Sequence, residues 1–210
     1  MSIPSDDRLA ERFGEHAPLA AALLPEAVPP GDGAHDLAHL IRVYKAAEAI
    51  RAEEGGDGRV LAAAVLLHDC VAVEKNSPER PIASRLAAER AAGILRRLGW
   101  DEAAIAAVAH AVAAHSFSAG IRPETIEAKI LQDADRLDAV GMIGVARCFY
   151  IAGRLGSALY EPFDPEARAR PLDDAAYALD HFPAKLLKLA AGFNTEAGRR
   201  MAAERDARLR

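Results

Sequence analysis

An imidazole beside a carboxylate, His68-Asp69, closes the apolar run Val60 to Leu67, where a core helix should end. Polar and charged groups placed there are costly unless they pair or hold a metal. Two further residues point to metal. His39 lies upstream in His35-Asp36-Leu37-Ala38-His39-Leu40-Ile41-Arg42-Val43, and Asp135 lies downstream in Gln132-Asp133-Ala134-Asp135-Arg136-Leu137-Asp138, both in segments that read as helices. In chain order the set is His, then His-Asp, then Asp. Two imidazole nitrogens with two carboxylates suit five- or six-coordinate Mn²⁺, Mg²⁺, Fe²⁺, Co²⁺ or Ni²⁺ better than a closed structural zinc cage. Such a site leaves positions for water. A bound ion lowers the pKa of that water towards neutrality and steadies a phosphoryl oxygen, so hydrolysis of a phosphate ester or anhydride follows.

The elements that must position these residues are helical. Leu37, Leu40, Ile41, Tyr44, Ala47 and Ile50 keep helical spacing with His39 on the flank of their stripe. Gly55-Gly56-Asp57-Gly58 stops that helix, and Asp57 is placed to cap the next, which runs to His68. The triple Ala62-Ala63-Ala64 and the length of this run select helix over strand. A polar loop, Val71 to Pro81, follows beside the proposed site. Helix Ile82 to Leu98 stops at Gly99, and Asp101 caps a helix through about Ala114 that Ser116, Ser118 and Gly120 break. Pro123 suits the first turn of a longer helix running past Asp135 towards Ala152, with Gly141 and Gly144 marking a close neighbour. At the ends, a first helix within Asp6 to Leu24 gives way to the Pro- and Gly-rich stretch Pro25 to Gly33. Gly153 to Pro171 is one long irregular segment of the kind that forms lids or binding loops. Helices Asp173 to Ala191, with Pro183 as a kink, and Thr195 to Leu209 close the chain.

Hydrophobic residues make 51% of the 210 residues and aromatics only 5%, so the core is built from Ala, Leu, Val and Ile. That favours an all-α protein of one domain, 1–210, with a core at about 30–155 and C-terminal helices 173–209 packing on it. A net charge of −5 and a pI near 5.8 argue against a nucleic-acid polymer or a membrane surface as partner. The C-terminal arginines alternate with acids and read as a solvated helix face. No apolar run approaches the ~20 residues of a membrane span, and Met1 to Arg12 carries Asp6, Asp7 and Glu11 where a signal peptide has a basic flank. A cytoplasmic location is expected. Cys70 and Cys148 are too few for a disulfide framework and fit a reduced compartment, Cys70 as a small buried thiol.

The ordered set resembles the HD-domain phosphohydrolase superfamily, whose signature is a His, an adjacent His-Asp and a distant Asp on helices of an α-helical bundle. The strings around His35-Asp36 and His39, Leu66-Leu67-His68-Asp69, Lys75-Asn76-Ser77, His115-Ser116-Phe117-Ser118 and Gln132 to Asp138 with Gly141 are similar to its short, single-domain YpgQ- and YedJ-like bacterial branch, over about residues 15–205. The resemblance implies an HD-domain helical bundle with His39, His68, Asp69 and Asp135 as metal ligands, Mn²⁺ or Mg²⁺ first among the candidates and Zn²⁺ included. It also implies a small phosphate substrate, a nucleotide, with cleavage of nucleoside triphosphates to monophosphate and pyrophosphate. A homodimer is compatible with it. Some HD phosphatases place a glutamate just after the His-Asp pair; here Cys70-Val71-Ala72-Val73 stands there, with Glu74 and Lys75 only afterwards. The general base is therefore left between Asp69 and a metal-bound hydroxide.

Lys75 and Arg80, beside Asp69, are the expected phosphate-binding pair, Lys75 being counted with Asp69 and His115 in the catalytic set, because a polyphosphate leaving group needs cations beyond the metal. Arg136 and Arg42 are expected to do the same or to pair with Asp138, which itself follows Asp135 by three residues and could orient a ligand or an arginine. His110 and His115 are expected to contact substrate phosphate or hold a second metal. Five helical residues turn through about 140°, so both face one centre only if the helix unwinds before His115. His35, one turn before His39, could join the site; Asp133 reads as structural; His16 and His181 read as solvated. A binding module that retains a nucleotide or second messenger without turnover is the alternative, favoured by the missing early glutamate.

Overall fold

The chain folds as helices joined by turns, and among the described residues it has no strand, only an isolated bridge between Ala158 and Tyr177. This is the expected all-α class. The structure, a computed structural model, describes residues 5–27, 33, 35–71, 73, 77, 80–116 and 119–209. They fall into two compact units, within Met1–Asp135 and Arg136–Arg210.

Unit 1 holds α1 (Asp6–Phe13), α2 (Ala17–Ala27), α3 (Leu37–Glu54), α4 (Gly58–Leu67), α5 (Ala83–Arg97), α6 (Glu102–Ala114) and all but the last two residues of α7 (Ile126–Leu137). Helix α4 is its axis. Val60 to Leu67 are all buried, as a helix apolar on every side must be, and α2, α3, α5 and α6 pack around it. Its start is set by Asp57, whose carboxylate accepts the Arg59 and Val60 N–H groups at 2.8 and 3.1 Å. The Asp57 N–H in turn donates to Glu127 Oε1 at 2.8 Å, tying the start of α4 to the start of α7. Gly56, at φ +106°, makes room for this: a Cβ there would sit 3.1 Å from both Glu127 Oε1 and Ile126 Cγ2.

Three expectations in this unit need correction. The first helix is divided by Gly14 (φ +53°) and a 3-10 turn, Gly14–His16, and α2 then continues through Pro25 to Ala27. Pro25 lies two residues from the helix end, so little helix follows the bond it removes. His16 is not solvated: the turn carries it inward, 9% exposed, with Nδ1 2.9 Å from the Tyr44 hydroxyl.

In unit 2 the long helix expected from Pro123 to Ala152 is two, since Gly141 at φ +79° separates α7 from α8 (Met142–Leu155). The corner is tight. Arg205 Cβ lies 3.3 Å from where a Gly141 Cβ would stand, and a Gly144 Cβ would run into the Ala139 carbonyl oxygen. The expected helix 173–191 reduces to α9 (His181–Ala184) and a 3-10 stretch, Leu186–Gly192. Other partners have taken the backbone bonds of 173–180: Ala158 pairs with Ala176 and Ala178, and the Asp173 carboxylate accepts the Ala175 and Ala176 N–H groups. Asp180, 1% exposed, accepts both Arg170 Nη groups and the Asp173 N–H. The irregular segment is thus internally bonded. Helix α10 (Glu196–Asp206) starts at Thr195, whose hydroxyl accepts the Gly198 N–H, and Arg205 on it reaches the Leu137 carbonyl instead of lying on a solvated face.

Candidate metal centre

His39 is the third residue of α3, and its N–H donates to the Asp36 carboxylate at 3.0 Å, so the cap that starts the helix also fixes the backbone of this histidine. His68 caps the C-terminal end of α4 and Asp69 follows in the turn. Asp135 lies in the last turn of α7. These segments bring four donors together. His39 Nε2 and His68 Nε2 are 3.2 Å apart, and both imidazoles are fully buried. Asp69 Oδ2 is 3.3 Å from His68 Nε2 and 3.8 Å from His39 Nε2; Asp135 Oδ1 is 3.6 Å from His39 Nε2 and 3.8 Å from His68 Nε2.

The donors fit a divalent ion. His68 Nδ1 donates to the Val65 carbonyl at 2.7 Å, which leaves the Nε2 lone pair facing the cluster, the usual arrangement of a ligating histidine. Ligands at about 2.1 Å from an ion stand roughly 3.0 Å apart on an octahedral edge and roughly 3.4 Å apart on a tetrahedral one, close to the separations here. His39, His68 and Asp135 alone offer three such atoms within 4.8 Å of one another. Electrostatics point the same way. Burial pulls His68 down, but Asp69, with Asp135 behind it, overrides burial and pushes it up to about 9. Burial raises Asp69 and Asp135, yet the His68 charge outweighs it and holds both below the usual carboxylate range. The carboxylates call for positive charge at this point.

His115 joins the rim of the cluster. It caps the C-terminal end of α6, 8% exposed, with its ring edge-on to His68 at 4.9 Å and Nε2 3.6 Å from Asp69 Oδ1. Its Nδ1 donates to the Val112 carbonyl at 2.6 Å. Burial first, then the His68 charge, lower its pKa. The helix does not unwind before it, since His115 keeps helical torsions (φ −62°, ψ −38°). His110 consequently faces elsewhere, and its Nε2 accepts the Glu124 N–H at 3.0 Å.

The remaining expected residues are placed variously. Lys75 and Glu74 lie outside the described residues, as does the side chain of Arg80. Arg136 is 7% exposed; it donates to the Gly192 carbonyl and lies over the Phe193 ring, 5.5 Å from its centroid. Asp138 takes Arg147 Nη1 at 2.5 Å and so orients that arginine. The His35 ring stands edge-on to His39 at 5.5 Å. Asp133 is wholly buried, His181 pairs with Asp174 at 2.9 Å, and the Cys70 thiol is buried, donating to the Ala87 carbonyl. Sequence reasoning gave no role to Asp36 or Gln132. The first was detectable as an Asp three residues before His39 at a helix start; Gln132 carries no such signal, because its partner, the Ala114 carbonyl, is distant in sequence.

The HD-domain family model matches residues 36–140. YpgQ of Bacillus subtilis is 34% identical over 175 residues, covering 81% of this chain and 77% of that protein. The crystal structure of B. subtilis YpgQ in complex with ADP is similar, with a TM-score of 0.66 and 29% identity over 98% of this chain and 92% of that one. An HD-superfamily hydrolase from Bacillus thuringiensis gives a TM-score of 0.65 and 30% identity over 98% and 93%. With a family match that contains all four clustered donors and a relative aligned over most of its length, the chain belongs to the HD-domain family.

Proposed function

We propose that this protein is a metal-dependent phosphohydrolase acting on a nucleotide, and that it cleaves nucleoside triphosphates to monophosphate and pyrophosphate. The observation that carries the reading is the convergence of His39, His68, Asp69 and Asp135 on one point with the His115 imidazole at its edge. The family, the likeness to an HD-superfamily hydrolase and the ADP held by YpgQ support it.

A divalent cation, Mn²⁺ or Mg²⁺ first among the candidates, would supply positive charge for a phosphoryl oxygen and acidify a water. His39 and His68 offer it neutral nitrogens, and Asp69 and Asp135 offset its charge. Asp69 has a second task. Its Oδ1 faces His115 Nε2 across 3.6 Å, so a proton taken up at the carboxylate passes to the imidazole on a small approach of the two. His115 takes that proton and delivers it to the leaving oxygen. Lys75 and Arg80 neutralise the leaving phosphates.

The test is metal analysis of protein purified without chelator, followed by a nucleotide panel assayed for phosphate and pyrophosphate with Mn²⁺. His68→Ala and Asp135→Ala should lose metal and turnover while keeping the helical circular dichroism. Normal hydrolysis by either variant overturns the assignment. Binding without product would instead mark a nucleotide sensor, the reading that the missing early glutamate favours.

A further inference from the structure

Gln132 stands one turn before Asp135 on α7 and is 5% exposed. Its side-chain amide donates to the Ala114 carbonyl at 2.7 Å. Ala114 is the last residue of α6, so this carbonyl is one of the four that a helix leaves without an internal partner, and the next residue is His115. Both carbonyls that frame the imidazole are thereby engaged: Val112 by His115 Nδ1 from within α6, Ala114 by Gln132 from α7. An imidazole held at a helix end has only its χ angles and that end's position to aim it. The first is fixed by Val112 and the second by Gln132.

We propose that Gln132 is a positioning residue for His115: its amide clamps the end of α6 to α7 and so sets the 3.6 Å separation between His115 Nε2 and Asp69. Because α7 also carries Asp135, the clamp references the imidazole and a metal-ligand carboxylate to a single helix. His115 then meets a phosphoryl oxygen at a fixed distance from the metal centre. This last step rests on the phosphohydrolase reading; the clamp itself does not.

Gln132→Met keeps the length and burial of the side chain and removes the donor. In ¹H–¹⁵N spectra of the histidine rings, the His115 Nδ1–H signal should shift or vanish in Gln132→Met while that of His68, bonded to Val65, stays in place. In calorimetry with the Mn²⁺-loaded full chain, ADP should bind about tenfold more weakly to Gln132→Met, as to His115→Ala, with no further loss in the double variant. Mn²⁺ affinity should hold within about twofold, since the four donors remain. Gln132→Asn, which keeps an amide but shortens its reach, gives the same pattern more mildly and serves if the methionine variant does not fold. An unchanged His115 signal, the joint loss of both ring signals, or additive losses of ADP affinity would overturn the proposal. If the wild-type chain binds no ADP, the phosphate-contact step falls and the ring signals alone decide the clamp, while the phosphohydrolase reading stands or falls by the nucleotide panel.

Discussion

Loading the centre with a divalent ion should stabilise the folded chain by an amount the geometry lets one work out. The four donors sit on α3, at the end of α4 and on α7, far apart in sequence, so only the folded chain offers the complete set. Metal at a hundredfold excess over its dissociation constant then adds about 2.7 kcal/mol. Unfolding entropy is about 2.1 cal/mol/K per residue, which over 210 residues gives about 0.44 kcal/mol/K, and hence a rise in Tm of about 6 °C. If only unit 1, Met1–Asp135, melts in the observed transition, the same energy gives about 10 °C. The assay is a thermal melt of chelator-treated protein across a Mn²⁺ titration, wild type against Asp135→Asn. The asparagine keeps the shape of the side chain and loses the charge, so the rise should disappear. A Tm that does not respond to millimolar metal, or a rise that survives in Asp135→Asn, refutes the centre.

Three further outcomes rest on other parts of the chain. The Asp180 carboxyl is held below its usual value, chiefly by its bond to Arg170, so it stabilises the fold above the unfolded pKa of about 3.9 and ceases to as pH falls through the lower folded value. Asp180→Asn should therefore lower Tm at pH 7 and flatten the acid decline below pH ~4; melts that keep the wild-type acid profile would contradict this. Burial pushes the Cys70 thiol up to about 11, so native protein should resist iodoacetamide at Cys70 and react there only on unfolding, as peptide mapping would read. Gly144→Ala meets the Ala139 carbonyl and should cost about 1–3 kcal/mol in urea melts, whereas Gly93→Ala on α5, whose nearest neighbour is Arg97 Nη1 at 4.0 Å, should gain about 0.5–1 kcal/mol.

What the sequence made legible was whatever a few neighbouring residues decide. Asp57 and Asp101 cap the helices they were expected to cap, and the unbroken apolar run Val60 to Leu67 is the buried axis. The order His39, His68-Asp69, Asp135 was readable because each lies at or near a helix end that local signals mark. Choices made by distant partners were hidden. Gly14 and Gly141 could each have been tolerated inside a helix; their positive φ values follow from the turn to Tyr44 and from Arg205 against the corner. Residues 173–180 have helical composition, yet Asp180 spends its carboxylate on Arg170 and the Asp173 N–H, and the bridge to Ala158 takes the backbone. His115 is separable from His110 only through helical rotation, and the contacts made there, Gln132 on the Ala114 carbonyl and the Glu124 N–H on His110, come from residues distant in sequence.

The helix directions favour a cation at this point before anything else. His68 and His115 cap the C-terminal ends of α4 and α6, and Asp135 lies in the last turn of α7, so three helices turn their negative ends to the cluster. Each such end carries roughly half an elementary negative charge, and the Asp69 and Asp135 carboxylates add to it. Only α3 presents its N-terminal turn, and there the Asp36 carboxylate already occupies the His39 N–H. A phosphate approaching the bare cluster would meet a net repulsive field, since the His68 charge and the α3 N-terminus offset only part of the negative charge. Once a divalent ion sits between the donors, the same field is compensated, and an anion gains from the ion what it would have lost to the helix ends. Metal and nucleotide affinities should therefore be coupled, each raising the other by the same factor. Equal ADP affinity with and without Mn²⁺ would show that the phosphate lies outside this field.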